Sequence, residues 1–224
     1  VAFWSAASNL ISGDSNGWWR DVFIYDRIIG KVVTRIAVDL NQVFPSMVAL
    51  SADGRYAAFS YYADDSEPYN DAWGSEHVVV RDLVVGTQTL LSDKPFPAPV
   101  ESPNGQVDLS ADGRYVIFSS DNRDVDSYGN TDISIYDQIT KQTKVITGHG
   151  DDRSGSPTVS ADGRFVAFWS HASNLVPCDM NEASDIFVYD RDGQAPSVYT
   201  ICGKVTKGDG TPLQGVLVSE AFGH

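Results

Sequence analysis

The pattern Ser-Ala-Asp-Gly-Arg followed by Tyr or Phe occurs three times along the chain, at 51–56, 110–115 and 160–165. Adjacent Asp and Gly residues favour a tight turn in which the Gly adopts a positive φ. An apolar strand follows each copy, AAFS at 57–60, VIFS at 116–119 and VAFW at 166–169, and the chain begins with VAFW as a fourth copy of that strand. Repetition at a nearly fixed spacing predicts several copies of one structural unit.

Each unit contains two further strand patterns. An alternating segment ends at Asp26, Asp82, Asp137 and Asp190, and a segment rich in Thr and Val follows it. The connections are too short for the crossover helices that parallel strands need, and each unit leaves apolar faces that only a neighbour can cover. The sequence therefore predicts an all-β fold, a β-propeller of about four four-stranded antiparallel blades over residues 1–200. The expected blade boundaries lie near residues 38, 96 and 150, and both a closed ring and an incomplete propeller satisfy the pattern.

The combined pattern S-x-D-G-R-(Y/F)-(V/A)-x-F and (I/V)-(F/S)-(V/I)-Y-D resembles the repeat of TolB-type β-propellers. The first and last units are also alike, as FWSAASNLISGDSNGWWRDVFIYDR and FWSHASNLVPCDMNEASDIFVYDR. Propellers of this type are widespread in periplasmic and secreted bacterial proteins, where they serve as binding platforms, scaffolds or accessory domains of enzymes. The resemblance implies the fold more strongly than any one of these functions.

Residues 201–224 depart from the repeat. The segment GKVTKGDGTPLQGVLVSEA resembles the first two strands of a carboxypeptidase-regulatory-like domain, through its G-x-V-T, D-G-x-P-L and G-V-x-V elements. A second interpretation starts from the first blade, which lacks the strand that should precede its VAFW segment. The segment LQGVLVS at 213–219 would fill that position and close the ring. Both interpretations stay open at this point.

The formal charge of −14, from 16 basic and 30 acidic residues, limits the classes of partner. Such a charge repels phosphate backbones and argues against nucleic acid, although acidity also simply keeps proteins dispersed. No apolar run reaches the roughly 18 residues of a membrane helix, so we expect no membrane insertion by this chain. The N-terminal segment lacks a signal-peptide pattern and starts within a blade.

We label the strands of a blade A to D from the axis outward, so that the Ser-Ala-Asp-Gly-Arg turn joins A to B. Antiparallel order then places the AB and CD turns on one face, and the BC loops and the connections between blades on the other. The BC loops, residues 8–20, 63–75, 121–131 and 171–184, contain many Asp and Asn residues. We expect them to gather on one surface, here called the BC rim, where propellers often place ligand sites.

Short oxygen ligands are closely spaced in three BC loops, as hard cations such as Ca²⁺ require. The candidates are Asp14, Asn16 and Asp21 in the first blade, Asp126, Asn130 and Asp132 in the third, and Asp179, Asn181 and Asp185 in the fourth. Backbone carbonyls or water would complete the shell. In the alternative interpretation these residues form turns, and the last Asp of each set fixes the start of strand C.

Aromatic and imidazole side chains complete the predicted ligand surface. We expect Trp18, Trp19, Tyr69, Trp73, His149 and His171 on the BC rim, with Tyr61 and Tyr62 as further aromatic candidates. Ring faces among carboxylates and amides suit protein or glycan ligands, and packing between blades is the alternative. Cys178 and Cys202 also fall on this rim, either as a disulfide, which would indicate an oxidising compartment, or as two free thiols.

Catalytic motifs are not evident: the sequence contains no H-E-x-x-H and no Gly-rich phosphate loop. We predict a non-catalytic binding or scaffold module, extracellular or periplasmic, that recognises a protein or glycan on the BC rim. One alternative is an accessory propeller of a multidomain hydrolase or peptidase. Another is an enzyme similar to the propeller polysaccharide lyases, with a metal and acidic groups beside His149 and His171.

Overall fold

The computed structural model describes residues 1–12, 14, 20–36, 44–63, 75–91, 96–97, 106–121, 131–176, 179 and 183–193. Every regular element in these ranges is a β-strand. The first eight are β1 (Ala2–Ser5), β2 (Asp21–Asp26), β3 (Lys31–Ile36), β4 (Phe44–Leu50), β5 (Tyr56–Ala63), β6 (Ser75–Asp82), β7 (Gln88–Leu90) and β8 (Phe96–Pro97). They are followed by β9 (Val107–Leu109), β10 (Tyr115–Asp121), β11 (Thr131–Asp137), β12 (Gln142–Val145), β13 (Ser154–Val159), β14 (Phe165–Ser170) and β15 (Asp185–Asp190).

The strands form four antiparallel sheets, each built from a consecutive run of the chain. Blade 1 has the strand order β1-β2-β3. Blade 2 has the order β4-β5-β6-β7, and the short strand β8 pairs with β6. Blade 3 is β9-β10-β11-β12, and blade 4 is β13-β14-β15. Strands joined by short turns pair with their neighbours in sequence. The predicted antiparallel blades are confirmed.

The middle strands of the blades are apolar on both sides because both sides are covered. Val116, Ile117 and Phe118 follow one another in β10, and all three are buried. Successive side chains of a strand point to opposite faces of the sheet. A sheet with one solvent-facing side would therefore expose at least one of them. In the outer strand β12, by contrast, every residue is exposed.

Three apolar clusters join the blades in chain order. Each cluster combines residues from the B and C strands of one blade with residues from the next. The main contributors are Val22, Ile24, Phe59 and Val79 between blades 1 and 2, Val78, Val80, Val116 and Phe118 between blades 2 and 3, and Ile117, Ile133, Val166 and Phe168 between blades 3 and 4.

The first strand of each sheet contacts the first strand of the next. These contacts run from β1 to β4, from β4 to β9 and from β9 to β13. Sheets that stack face to face, with their first strands touching, are arranged as the blades of a propeller. Residues 201–224, assigned above to a carboxypeptidase-regulatory-like segment or to a ring-closing strand, lie outside the described residues. No helix in the described ranges is long and apolar enough to cross a membrane.

Candidate functional site

Each Ser-Ala-Asp-Gly-Arg turn is held together by the same hydrogen bonds. In blade 2 the Ser51 hydroxyl donates to Asp53 Oδ1 at 2.6 Å and accepts the Tyr56 amide at 2.9 Å. Asp53 Oδ1 also accepts the Arg55 amide at 2.9 Å. The hydrogen bond from Ser51 is the largest of the effects that lower the pKa of Asp53. The turns of blades 3 and 4 repeat these contacts, so the pattern specifies a turn that is complete within its own residues.

The Arg of each turn pairs with the Asp that ends strand C of the same blade. In blade 2, hydrogen bonds from Arg55 lower the pKa of Asp82 to about 2. Asp82 Oδ1 also accepts the amides of Val84 and Val85 in the CD turn, at 2.9 and 3.1 Å. These contacts confirm that the AB and CD turns share a face and that the Arg pairs with a neighbouring carboxylate. The distances from Nη2 to Oδ2 are 2.8 Å for Arg55–Asp82, 2.9 Å for Arg114–Asp137 and 2.8 Å for Arg164–Asp190.

Hydrogen bonds also link the turns of successive blades. The Ala52 amide donates to the Ala111 carbonyl at 2.8 Å, and the Ala111 amide donates to the Ala161 carbonyl at 2.9 Å. Asp108 of β9 adds a side-chain link, because its Oδ2 accepts the Thr158 hydroxyl of β13 at 2.8 Å. Blade 2 is therefore tied to blade 3, and blade 3 to blade 4, by directional bonds as well as by apolar packing.

The aromatic residue that ends a turn packs on the glycine of the following turn. Tyr56 covers Gly113 and Tyr115 covers Gly163, and at both glycines an added Cβ would lie 2.3 Å from the tyrosine Cδ2. Arg191 of blade 4 also lies over the Tyr115 ring, 4.0 Å from its centroid. Sequence reasoning accounts for these glycines by their φ alone and misses this contact. The signal for this contact in the sequence was the Tyr or Phe that follows the Arg of each Ser-Ala-Asp-Gly-Arg turn.

Two loops of the BC rim are joined at blade 4. The Asp151 carboxylate accepts the amide and the hydroxyl of Ser173, both at 2.7 Å. Asn174 Nδ2 donates to the His149 carbonyl at 2.7 Å, and Asn174 Oδ1 accepts the Asp151 amide at 3.0 Å. The pKa of Asp151 is lowered, mainly by the Ser173 hydroxyl. The connection between blades 3 and 4 and the BC loop of blade 4 therefore lie side by side, with the Asp151 carboxylate already engaged.

The predicted rim residues His149 and His171 are both exposed on these loops. The His171 ring meets Trp169 edge-on, with 5.4 Å between the ring centroids. Trp169 Nε1 in turn donates to Ser156 Oγ at 3.0 Å. Ser156 lies in the irregular pairing of β13 with β14 and has a φ of 50°, which is uncommon for a residue other than Gly. An imidazole, an indole and a hydroxyl thus adjoin one another at the end of blade 4.

Comparison with solved structures agrees with the stacking of the four sheets. The tricorn protease matches 77% of this chain over 16% of its own length, with 18% identity and a TM-score of 0.52. The chain has a β-propeller fold. TolB from Acinetobacter baumannii matches 81% of the chain over 37% of its own length (21% identity, TM-score 0.48). The β-propeller domain of the Trilobed protease from Pyrococcus furiosus matches 67% over 40% (15% identity, TM-score 0.49).

These comparisons concern the fold alone. No family model matches the sequence, and no curated protein matches it. The chain spans less than half of the length of each of the three structures named above. The function of this propeller therefore has to be argued from its own residues.

The calcium-ligand candidates Asp14, Asp21 and Asp132 contact protein groups in the propeller. Arg35 Nη2 lies 3.5 Å from Asp14 Oδ1, and Arg35 Nε lies 2.9 Å from Asp21 Oδ2. Asp132 Oδ1 accepts the Thr147 hydroxyl at 2.8 Å. Asp21 and Asp132, the last Asp of their sets, lie at the start of strand C, as the alternative interpretation expects. Among the described residues, no group of three or more His, Cys, Asp or Glu side chains is placed to hold a metal. Calcium therefore stays a prediction for the complete loops.

For Tyr61 the structure shows the alternative, packing between blades. Its side chain is buried between blades 1 and 2, where its ring centroid lies 5.3 Å from that of His77, so it packs between blades and not on the BC rim. Asp185 begins β15, and Asp179 lies in the loop before it. The predicted site residues outside the described ranges are Asn16, Trp18, Trp19, Tyr69, Trp73, Asp126, Asn130, Cys178, Asn181 and Cys202.

Apolar side chains are also exposed on the face opposite the BC rim, at the tips of CD turns. In blade 1 the turn is fixed by Asp26 Oδ1, which accepts the amides of Ile28 and Ile29 at 2.7 and 3.1 Å. The recurring segments DRIIG and DLVVG carried this signal, which sequence reasoning did not use. The exposed tips are Ile28 and Ile29 in blade 1, Val84 and Val85 in blade 2, and Ile139 in blade 3.

Proposed function

We propose that this propeller is a non-catalytic binding or scaffold module that recognises a protein or glycan on the BC rim, in an extracellular or periplasmic setting. The observation that carries the proposal is the joined pair of loops at blade 4. Asp151 lies on the same loop as His149, and its carboxylate already accepts two hydrogen bonds from Ser173 on the loop of His171. The imidazoles of His149 and His171 remain exposed.

A fixed loop pair favours recognition because little conformational freedom is lost when a ligand binds. The exposed histidines offer aromatic ring surface as well as hydrogen-bonding nitrogens, and Trp169 adds an indole next to His171. These are groups that contact sugars and peptide side chains. The charge of −14 supports neutral or basic ligands over polyanions.

The proposal is tested by comparing a rim variant with an opposite-face variant. The rim variant carries His149→Ala and His171→Ala, and the control carries Val84→Ser and Ile139→Ser at exposed CD-turn tips. Each protein is screened on a printed glycan array and against a displayed peptide library, and the affinities of the hits are then measured by calorimetry. The rim variant should lose about tenfold or more in affinity, the cost of one contact worth roughly 1.4 kcal/mol, while the control binds normally.

Three results would contradict this assignment. Unchanged affinity in the rim variant would remove the BC rim of blade 4 as the binding surface. Loss of affinity in the control alone would place recognition on the CD-turn tips. Cleavage of a glycan by the unmodified protein that disappears in the rim variant would favour the lyase-like alternative instead.

A further inference from the structure

Large apolar side chains are exposed at the tips of three successive CD turns, on the face opposite the BC rim. They are between 59% and 97% exposed: Ile28 and Ile29 in blade 1, Val84 and Val85 in blade 2, and Ile139 in blade 3. None of them belongs to the apolar clusters that join the blades. Single exposed apolar residues are ordinary on a protein surface, but recurrence at the same turn of three blades indicates an interaction surface. We call these five residues the CD tips.

The backbone amides of the CD tips are already hydrogen-bonded within their own turns. In blade 1, Asp26 accepts the amides of Ile28 and Ile29 through Oδ1 and that of Gly30 through its carbonyl, at 2.7, 3.1 and 2.8 Å. Asp82 holds the turn of blade 2 in the same way, and the turn of blade 3 contains bonds of the same two kinds. Because these donors need no water, the tips can leave water at a lower cost than an open loop.

Basic side chains flank the CD tips without a carboxylate partner. Arg27 and Lys31 lie on either side of the blade 1 tip, and Lys141 follows Ile139 by two residues; all three are exposed. No ion pair involves them within the described ranges. In blades 2 and 3 the Asp that holds the turn is neutralised by the Arg of the AB turn of the same blade. The surroundings of the tips are therefore neutral or positive.

Lys141 adopts a backbone conformation that disfavours it. Its φ is 60°, at the turn position where Gly30 and Gly86 have φ values of 73° and 82°. A residue with a Cβ is strained in this region, and an observed strain of this kind points to function. A glycine in the blade 3 turn would be unstrained but would supply no charge. The lysine places a cation beside Ile139 at the cost of local strain.

The acidic residues that dominate the net charge lie mainly on the other face. The four BC loops, with the bounds given above, contain ten acidic and two basic residues. Strand β11, with seven residues, connects the BC rim to a CD turn and is about 20 Å long at roughly 3.3 Å per residue. This length is about twice the Debye length at physiological salt, so the charge of the BC loops is largely screened at the CD tips.

We propose that the CD tips bind the interface of an anionic lipid bilayer. Apolar residues enter the boundary between headgroups and acyl chains, while flanking Lys and Arg side chains stay at the level of the lipid phosphates. Separate projecting tips suit a fluid surface because lipids rearrange around each one, whereas a folded partner protein would need a matching pocket for each tip. The binding is to the membrane surface, and the expectation of no membrane-spanning segment is unchanged. The BC rim faces away from the membrane, so this proposal does not rest on the ligand proposed above.

Cosedimentation of the full chain with vesicles measures this binding. Vesicles of phosphatidylcholine with about one-third phosphatidylglycerol provide the anionic surface, and vesicles of phosphatidylcholine alone provide the comparison. A tip variant and a strand control each replace one exposed apolar residue by Ser in blades 1, 2 and 3. The tip variant should lower the partition coefficient by about tenfold or more, whereas the strand control should leave it unchanged. The tip variant is Ile28→Ser, Val84→Ser and Ile139→Ser, and the control on the outer strands is Val33→Ser, Leu90→Ser and Val145→Ser.

A second pair of variants tests the contribution of charge. Arg27→Gln with Lys141→Gln should lower partition into the anionic vesicles by roughly fivefold for each charge removed. Arg20→Gln with Arg153→Gln removes two exposed positive charges on the side of the BC rim and should change partition little. Phosphatidylcholine vesicles should bind the unmodified chain more weakly than the anionic vesicles do.

The proposal fails if the unmodified chain does not sediment with the anionic vesicles, or if the tip variant and the strand control lose equal affinity. Binding that depends on the basic residues but not on the tips would show adsorption by charge alone, and would also overturn it. Two outcomes without vesicle binding would reassign the surface. A dimer in sedimentation velocity that the tip variant abolishes would assign the tips to a second copy, and a displayed peptide that the tip variant no longer binds would assign them to a protein.

Discussion

Replacing each turn glycine by alanine separates the cost of the left-handed backbone from the cost of blocking the neighbouring blade. Gly54, Gly113 and Gly163 have φ values of 73°, 71° and 73°, so alanine meets the same backbone strain at all three positions. The space around them differs. A Cβ at Gly54 meets nothing within 4 Å, whereas at Gly113 and Gly163 it would lie 2.3 Å from a tyrosine ring carbon.

The expected magnitudes follow from these two terms. Left-handed backbone costs a residue with a Cβ roughly 1–2 kcal/mol, which is the whole loss expected for Gly54→Ala. Displacing a packed ring adds about 1–3 kcal/mol, the usual cost of overpacking. Gly113→Ala and Gly163→Ala should therefore lower the free energy of unfolding by roughly 2–5 kcal/mol. The effect of alanine on the unfolded chain is common to the three variants and cancels in the comparison.

Urea unfolding, followed by tryptophan fluorescence and far-UV circular dichroism, gives the three free energies. A double-mutant cycle then isolates the contact between blades. In a Tyr115→Ala background, Gly163→Ala should cost about the same as Gly54→Ala, because the obstructing ring is gone. Equal losses at all three glycines in the native background, or no coupling between Tyr115 and Gly163, would refute the inference that the turns stack from blade to blade.

Three further predictions concern other contacts. Asp82 should titrate in carboxyl NMR at about 2, and Arg55→Gln should move its pKa toward the ordinary value. Because the folded pKa of Asp82 is depressed, the pair stabilises the protein above the unfolded pKa of about 3.9, and this contribution disappears as pH falls through about 2. The plots of unfolding free energy against pH for the unmodified protein and for Arg55→Gln should therefore converge at about pH 2. Thr147→Val leaves the buried Asp132 without a donor and should cost about 1–3 kcal/mol in urea unfolding, whereas Thr143→Val on exposed β12 should cost less than about 0.5 kcal/mol. If the complete BC loops bind Ca²⁺, adding it should raise the melting temperature and chelator should reverse the rise; identical melts would dismiss the predicted ion.

The blade and its turns could be predicted because their determinants are close together in the chain. The Ser51 hydroxyl, the Asp53 carboxylate and the Tyr56 amide lie within six residues, so the turn follows from local hydrogen-bonding chemistry. The pairing of Arg55 with a carboxylate on the same face also follows, since antiparallel order brings the AB and CD turns together. The apolar faces left by each unit indicated that neighbouring units cover one another.

The site was harder to predict because its partners come from different parts of the chain. Tyr61 and His77 face each other across two paired strands, and whether that pair is buried or on a rim depends on how blade 1 lies against blade 2. Asp14 and Asp21 have the spacing of cation ligands, but Arg35 from β3 approaches both carboxylates. Spacing along the sequence does not reveal that an arginine of another strand supplies the positive charge.

The sequence by itself therefore determined the repeating unit: its strands, its turns and the face on which each turn lies. These features depend on side chains a few residues apart and on the alternation of a strand. Only the tertiary structure decided how the units touch, through Tyr56 on Gly113 and the hydrogen bond from Ala52 to Ala111. Those contacts depend on the rotation from one blade to the next, which is set by the packing of whole sheets.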